Sequence, residues 1–349
     1  MKKLTNSPKT SNIGWLFYKD YFRDNKGNYL YRNNATTKEL IEQKTENILN
    51  QKLVKLSPLP LEEYLDMTTI YPGLLIGSGY QHEIGGVDSE FQLGFFFDYT
   101  TGMPIISGSS VKGVLRSAFK DKEYIKELLE DHDIDISKLE IEIFGSNNSD
   151  NEVEKGQDIF FDAFIIKSNN INETFLDDDY ITPHHNDPYK DPIPLRFLKV
   201  SPNVTFRFYF KLHDGVITRE EKLLLFDKIL QDFGVGAKTN VGYGQFTSDN
   251  ETRIKELIKQ KRKQLDKEAE EQRIQSLSPI DKIFEINDND VVKIIQQMQN
   301  AEIQEYASIK IELAKKVKQE LQKNPKTWDR AKQKALKRKE FIESILNEV

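Results

Sequence analysis

Residues 234–244 hold four glycines, Gly234, Gly236, Gly242 and Gly244, in the spacing G-x-G-x5-G-x-G. They follow "TREEKLLLFDKILQDF" at 218–233, an amphipathic helix by its apolar period, so a helix must end abruptly in a shaped loop. Glycine costs about 0.5–1 kcal/mol relative to Ala inside a regular element, and its return is positive φ and close approach by another backbone. Two familiar nucleotide motifs fail here. The dinucleotide fingerprint needs glycine where Thr239 stands, and a strand in front instead of a helix; a P-loop needs glycine where Ala237 stands.

A second stretch, "GMPIISGSSVKGVLRSAFK" at 102–120, predicts a helix capped by Ser109 or Ser110. Val111, Val114, Leu115, Ala118 and Phe119 form its apolar face, while Lys112, Arg116 and Lys120 line up on another. Gly113 beside that line leaves room for a close backbone. Free N–H groups and the positive dipole end favour phosphate at such a helix start, so serines plus a basic line predict an anion track. The plainer reading is a surface helix with ordinary lysines.

Around these stretches the chain divides in three. Residues 1–60 read as an N-terminal extension with one helix, opened by a capping box at Thr36 and Glu39. Residues 61–248 mix strands ("TTIYPGLLIGSG", "EFQLGFFFDYT", "KLEIEIFG", "DIFFDAFIIK", "VTFRFYFKL") with helices at about 109–130 and 218–233. Two β-α-β-like halves in that span predict an α+β fold of tandem ferredoxin-like units. Residues 249–349 read as a charged helical tail or bundle, with helices at about 288–323 and 327–347.

Charge limits the choice of partner. The net charge is −6, yet residues 249–349 carry 22 basic and 19 acidic side chains, leaving the rest acidic. A free-standing nucleic-acid binder shows a basic face or high pI, so any RNA or DNA contact here is local. Without cysteine there are no disulfides or thiolate metal sites. No run of 18 apolar residues and no signal-peptide pattern is present, which predicts a cytoplasmic protein without membrane partners. Asp177, Asp178 and Asp179 read as a solvated turn instead of a metal site, and no cofactor is expected.

The two stretches are also where the chain resembles a known family. "GMPIISGSSVKGVLRSAF" is similar to the G-x-P-x-I-P-G-S-S-x-K-G-x-x-R motif of RAMP proteins in CRISPR effector complexes. "FGVGAKTNVGYGQF" resembles their C-terminal glycine-rich loop, in the form typical of the sixth subunit of type III-B (Cmr) complexes. "IFG…GQDIFFDAF" (143–164), "DYITPHHNDPY" (179–189) and "PIPLRFLKVSPNVTFRF" (192–208) follow in the family order. Ser107 replaces the usual proline, and Gln245 a common arginine.

The resemblance implies a RAMP fold of two ferredoxin-like (RRM-like) halves, with an additional C-terminal helical region outside it. It implies a non-catalytic RNA-binding subunit that caps the effector backbone near the 3′ part of the CRISPR RNA. The implied partners are CRISPR RNA, target RNA and other Cmr-type subunits: the backbone RAMP, the small helical subunit and a capping RAMP. The RNA-binding residues would be Ser109, Ser110, Lys112, Gly113, Arg116, Gly234, Gly236, Lys238, Thr239, Asn240, Gly242 and Gly244. A loop holding His184, His185 and Tyr189 would touch RNA or a neighbouring subunit. Two other readings stand beside this one: an RNA-processing endonuclease using His184 and His185 as acid and base, and a purely protein-contacting scaffold.

Overall fold

The fold was analysed in a computed structural model, which describes residues 12–30, 35–54, 57–85, 87, 89–129, 133–146, 154–182, 194–300, 306–323 and 333–347. Its first elements are α1 (Ile13–Trp15), running into a π-helical turn (Leu16–Asp20), then α2 (Ala35–Leu49) and β1 (Tyr64–Thr69). Next come β2 (Ile105–Ile106), α3 (Gly108–Ala118), α4 (Lys122–Leu129), α5 (Ile136–Phe144), β3 (Ile159–Phe160) and β4 (Ala163–Ser168). The strands β5 (Leu176–Ile181), β6 (Leu195–Val200) and β7 (Val204–Lys211) lead to α6 (Arg219–Phe233) and β8 (Phe246–Ser248). The chain then turns helical: α7 (Asn250–Ser276), α8 (Pro279–Ile286), α9 (Val291–Gln299), α10 (Tyr306–Gln322) and α11 (Gln333–Leu346).

The sheet forms where apolar and polar residues alternate. In β1, Leu65, Met67 and Thr69 face the core and their neighbours do not, as a half-buried strand requires. β1 pairs antiparallel with β7, Leu65 opposite Phe208 and Met67 opposite Phe206. The full order is β2-β4-β7-β1-β8, with β3 also pairing β7, and β5–β6 make a separate antiparallel hairpin. The protein is therefore α+β, an antiparallel sheet with helices packed on it and a helical C-terminal region.

By packing, residues 1–258 and 259–349 are two compact units. The first is built on one large core, in which Phe17 and Tyr21 from the N-terminal turn join Ile41 and Ile48 of α2 and the sheet residues Phe206, Phe208 and Phe210. His82 sits within it, stacked on Phe17 at 3.7 Å, its two ring nitrogens 2.8 Å from the Phe17 carbonyl and 3.0 Å from that of Phe91. The second unit has its own core of Phe284, Ile294, Ile295, Met298, Leu313, Ala314, Val317, Ile342 and Ile345.

Local chemistry overrides the sequence reading in several places. "KLEIEIFG" folds as helix α5, not a strand. Asp135 accepts the Ser137 and Lys138 N–H groups to start it, and Ile136, Leu139, Ile143 and Phe144 bury one helical face. The expected helix at 109–130 breaks after Ala118, where Asp121 accepts the Tyr124 N–H and α4 begins. "EFQLGFFFDYT" forms single bridges, Leu93 to Gln81 and Phe97 to Pro104, in place of a strand. In the tail, Asp290 caps α9 by accepting from Val292 and Lys293, so 288–323 is not one helix.

Candidate nucleic-acid interface

A capping box between Thr218 and Glu221 starts α6, and Gly234, at φ 67°, ends it. The glycine loop then folds back on the segment after β1. The Ala237 N–H donates to Leu75 O (2.8 Å), the Gly244 N–H to Gly73 O (2.8 Å), and the Val235 N–H to Gly244 O (2.9 Å). Gly244 (φ 71°) lies so close to Val235 that a Cβ there would strike its carbonyl oxygen, and a Cβ on Gly236 (φ 105°) would lie 2.5 Å from Leu75 O. The glycines thus close the loop upon itself and upon its neighbour.

That narrows what the loop offers to a ligand. The N–H groups of Gly234, Val235, Ala237, Val241, Gly242, Tyr243 and Gly244 are all spent inside the protein. Those of Gly236, Lys238, Thr239 and Asn240 meet no acceptor among the described residues. Gly236, Lys238 and Asn240 are exposed. Lys238 takes the left-handed conformation (φ 60°, ψ 35°) ahead of the single turn Thr239–Val241, which Gly242 closes. The usable crest is 236–240, not the whole 234–244 span.

Tyr243 holds the loop from the other side. Its O–H donates to Asp179 Oδ2 (2.8 Å), and its ring packs with Leu75 and Phe197. Asp179 also accepts from Lys199 Nζ at 2.8 Å. Burial pushes the Asp179 carboxyl up, but the Lys199 ammonium, the Tyr180 N–H and the Tyr243 hydroxyl together hold it below the usual range. Asp177, Asp178 and Asp179 therefore lie on strand β5, not in a turn. Asp178 pairs with Arg196 Nε at 2.7 Å, and Lys199 spans Asp177 and Asp179. Sequence reading gave Tyr243 no role and took Asp179 for part of a solvated turn; the signal for Tyr243 was an aromatic set between two glycines.

Ser107, not Ser109 or Ser110, caps α3 by accepting the Ser110 N–H. The residue standing in place of the family's proline supplies the cap. The three hydroxyls cluster, Ser107 Oγ lying 3.1 Å from Ser109 Oγ and 2.8 Å from Ser110 Oγ, while Asp162 accepts the Gly108 N–H at 2.8 Å. Ser107, Ser110 and Val114 of α3 and Val235, Gly236 and Ala237 of the loop wall one pocket of about 360 Å³. Two stretches more than a hundred residues apart in the chain meet at one surface.

The basic line does not face it. At 100° per residue, Lys112 and Arg116 lie roughly opposite the 107/110/114 face. Lys112 holds its ammonium 5.9 Å from the Phe160 ring centre. Arg116 donates to Gly145 O (3.2 Å) and pairs with Glu140 (3.7 Å), so it fastens α3 to the end of α5. Gly113 is exposed, with open space where a side chain would go. His184, His185 and Tyr189 lie outside the described residues.

Residues 66–247 match the model of the RAMP superfamily. A curated relative, the CRISPR system CMR subunit Cmr6 of Saccharolobus solfataricus, is 32% identical over 163 residues, 45% of this chain and 49% of that protein. The Cmr6 subunit of Pyrococcus furiosus is 34% identical over 118 residues, 30% of this chain and 33% of that one. The chain thus spans half or less of the length of these relatives. Among solved structures, a chain of the type III-B Cmr-beta complex bound to cognate target RNA aligns with 68% of this chain and 87% of its own length. Its identity is 22% and its TM-score 0.41.

Proposed function

The chain belongs to the RAMP superfamily, and from that premise we propose that it is a non-catalytic, RNA-binding subunit of a type III-B CRISPR effector complex. In this reading it caps the backbone of repeating subunits near the 3′ part of the CRISPR RNA, in the cytoplasm. Its partners are that RNA, the target RNA and the neighbouring Cmr-type subunits. Similarity to Cmr6 subunits supports the assignment to such a complex.

One observation carries the RNA contact: the pocket shared by the glycine loop and the start of α3. The N–H groups at 236 and 238–240, which meet no acceptor among the described residues, are available as donors, and Lys238 adds a point charge. Such groups suit sugar-phosphate, which positions an RNA without reading its sequence. Ser110 lines the site and Ser109 adjoins it through Ser107, Lys112, Gly113 and Arg116 lie on other faces of α3, and Gly234, Gly242 and Gly244 shape the loop. The test is Lys238→Ala. Guide-RNA affinity should drop severalfold, with a shallower salt dependence because one phosphate contact is lost, while co-purification with neighbouring subunits persists. Unchanged affinity and salt slope would remove the loop from the interface.

A further inference from the structure

Next to the loop pocket lies a larger hollow of about 720 Å³. Its walls come from two places: Trp15 and Lys19 from the N-terminal turn, and Tyr80, Phe96 and Tyr99 from the loops between β1 and β2. Trp15, Lys19 and Tyr18 precede the stretch that matches the family, so the hollow exists only because that segment packs here. Its floor is rigid. The Tyr18 hydroxyl donates to Phe95 O and accepts the Phe95 N–H, and Phe97 packs against Phe17, Tyr18 and Phe95.

The outer rings are different. Trp15 is 48% exposed, Tyr80 64%, Phe96 36% and Tyr99 98%. None of these four stacks on another ring among the described residues. Exposing that much aromatic surface in one place marks a binding site. Two of the rings, Tyr80 and Phe96, also line the pocket between α3 and the glycine loop. The two hollows therefore share a wall. Lys19 stands exposed at the rim.

The geometry points to a base-stacking pocket: unpaired nucleobases of a single-stranded RNA whose backbone lies on residues 236–240 turn into this hollow and stack on Trp15, Tyr80, Phe96 and Tyr99. The inference rests on the RNA-binding reading of the loop and extends it. Continuity through Tyr80 and Phe96 favours RNA over an apolar protein segment, because a strand leaving the loop pocket passes directly over those rings. Base–aromatic stacking is tolerant of sequence, as every base has a π face, and Lys19 at the rim meets the next phosphate. The contact would hold unpaired nucleotides without specifying them.

Trp15 reports on the pocket directly. In this chain of 349 residues with Trp328→Phe, Trp15 is the sole tryptophan. Titration with an end-labelled single-stranded oligoribonucleotide should raise anisotropy and quench Trp15 over one concentration range. An abasic oligomer of equal length should bind at least about fivefold more weakly and leave Trp15 unquenched, and Tyr80→Ala or Tyr99→Ala should lower affinity for the intact RNA by about the same factor. A rise in anisotropy without quenching, or equal binding of the abasic oligomer, overturns the pocket and leaves the backbone reading standing. No rise in anisotropy overturns both. Ring variants that keep RNA affinity but lose co-purification with a neighbouring subunit assign the hollow to a protein segment, and the inference fails.

Discussion

At Gly244 there is no space for even a methyl group, because the Val235 carbonyl oxygen occupies the position a Cβ would take. Gly244→Ala should therefore lose about 3 kcal/mol or more in urea denaturation, combining overpacking with left-handed strain. The loss should appear in stability whether or not RNA is present. His82 sets a pH limit on the same unit. It is 1% exposed, and burial holds its pKa below the usual 6.5 despite the two carbonyls that favour the charged ring. The unfolded chain therefore takes up a proton first as pH falls. Stability is present above about pH 6.5 and declines below it, by at most about 1.4 kcal/mol per pH unit for one group. Melting temperatures from pH 7.5 to 5.5 should fall more steeply for the wild type than for His82→Gln.

Between elements, the contact that most directly positions the loop crest is Tyr243 against β5. Tyr243→Phe removes the hydroxyl bonded to Asp179 and should cost about 1–2 kcal/mol in urea denaturation at pH 7. Asp179 has a depressed pKa in the fold, so its contribution is present above the ordinary carboxylate pKa and lost as pH falls through the folded value. The wild-type advantage should accordingly shrink below about pH 4. This contact was not legible in the sequence, since it joins residues 64 positions apart. What was legible were long periodic segments such as α6 and β7, where one pattern had no rival. Residues 138–145 misled because Leu139, Ile141 and Ile143 alternate like a strand, while the capping carboxylate of Asp135 and the 136/139/143 face decide for helix. Sequence spacing puts Lys112 and Arg116 on one face but does not say which neighbour that face meets, here Phe160 and the end of α5.

Among the described residues, the two larger hydrophobic cores fall on either side of residue 258. Each buries its own apolar set, so a chain ending at Ile258 should unfold in one cooperative transition and keep the Lys238-dependent RNA affinity. A broad, non-cooperative melt would show that the first unit depends on the second. Charge patterning had marked 249 as the point where composition changes, while packing continues to Ile254 and Ile258, which still sit on the first core. The stretch ahead of β1 is the larger surprise, because Phe17, Tyr21 and Ile41 lie in the same core as the sheet. A hybrid that swaps residues 66–247 for those of a relative would exchange His82 and Phe91 together and leave Phe17, Tyr21 and Ile41 against side chains other than those they pack on here. The portion that must be exchanged as one piece is therefore larger than the portion that similarity detects, and drift at Ile13, Phe17, Tyr21, Ile41 and Ile48 is constrained by the core they share with the sheet.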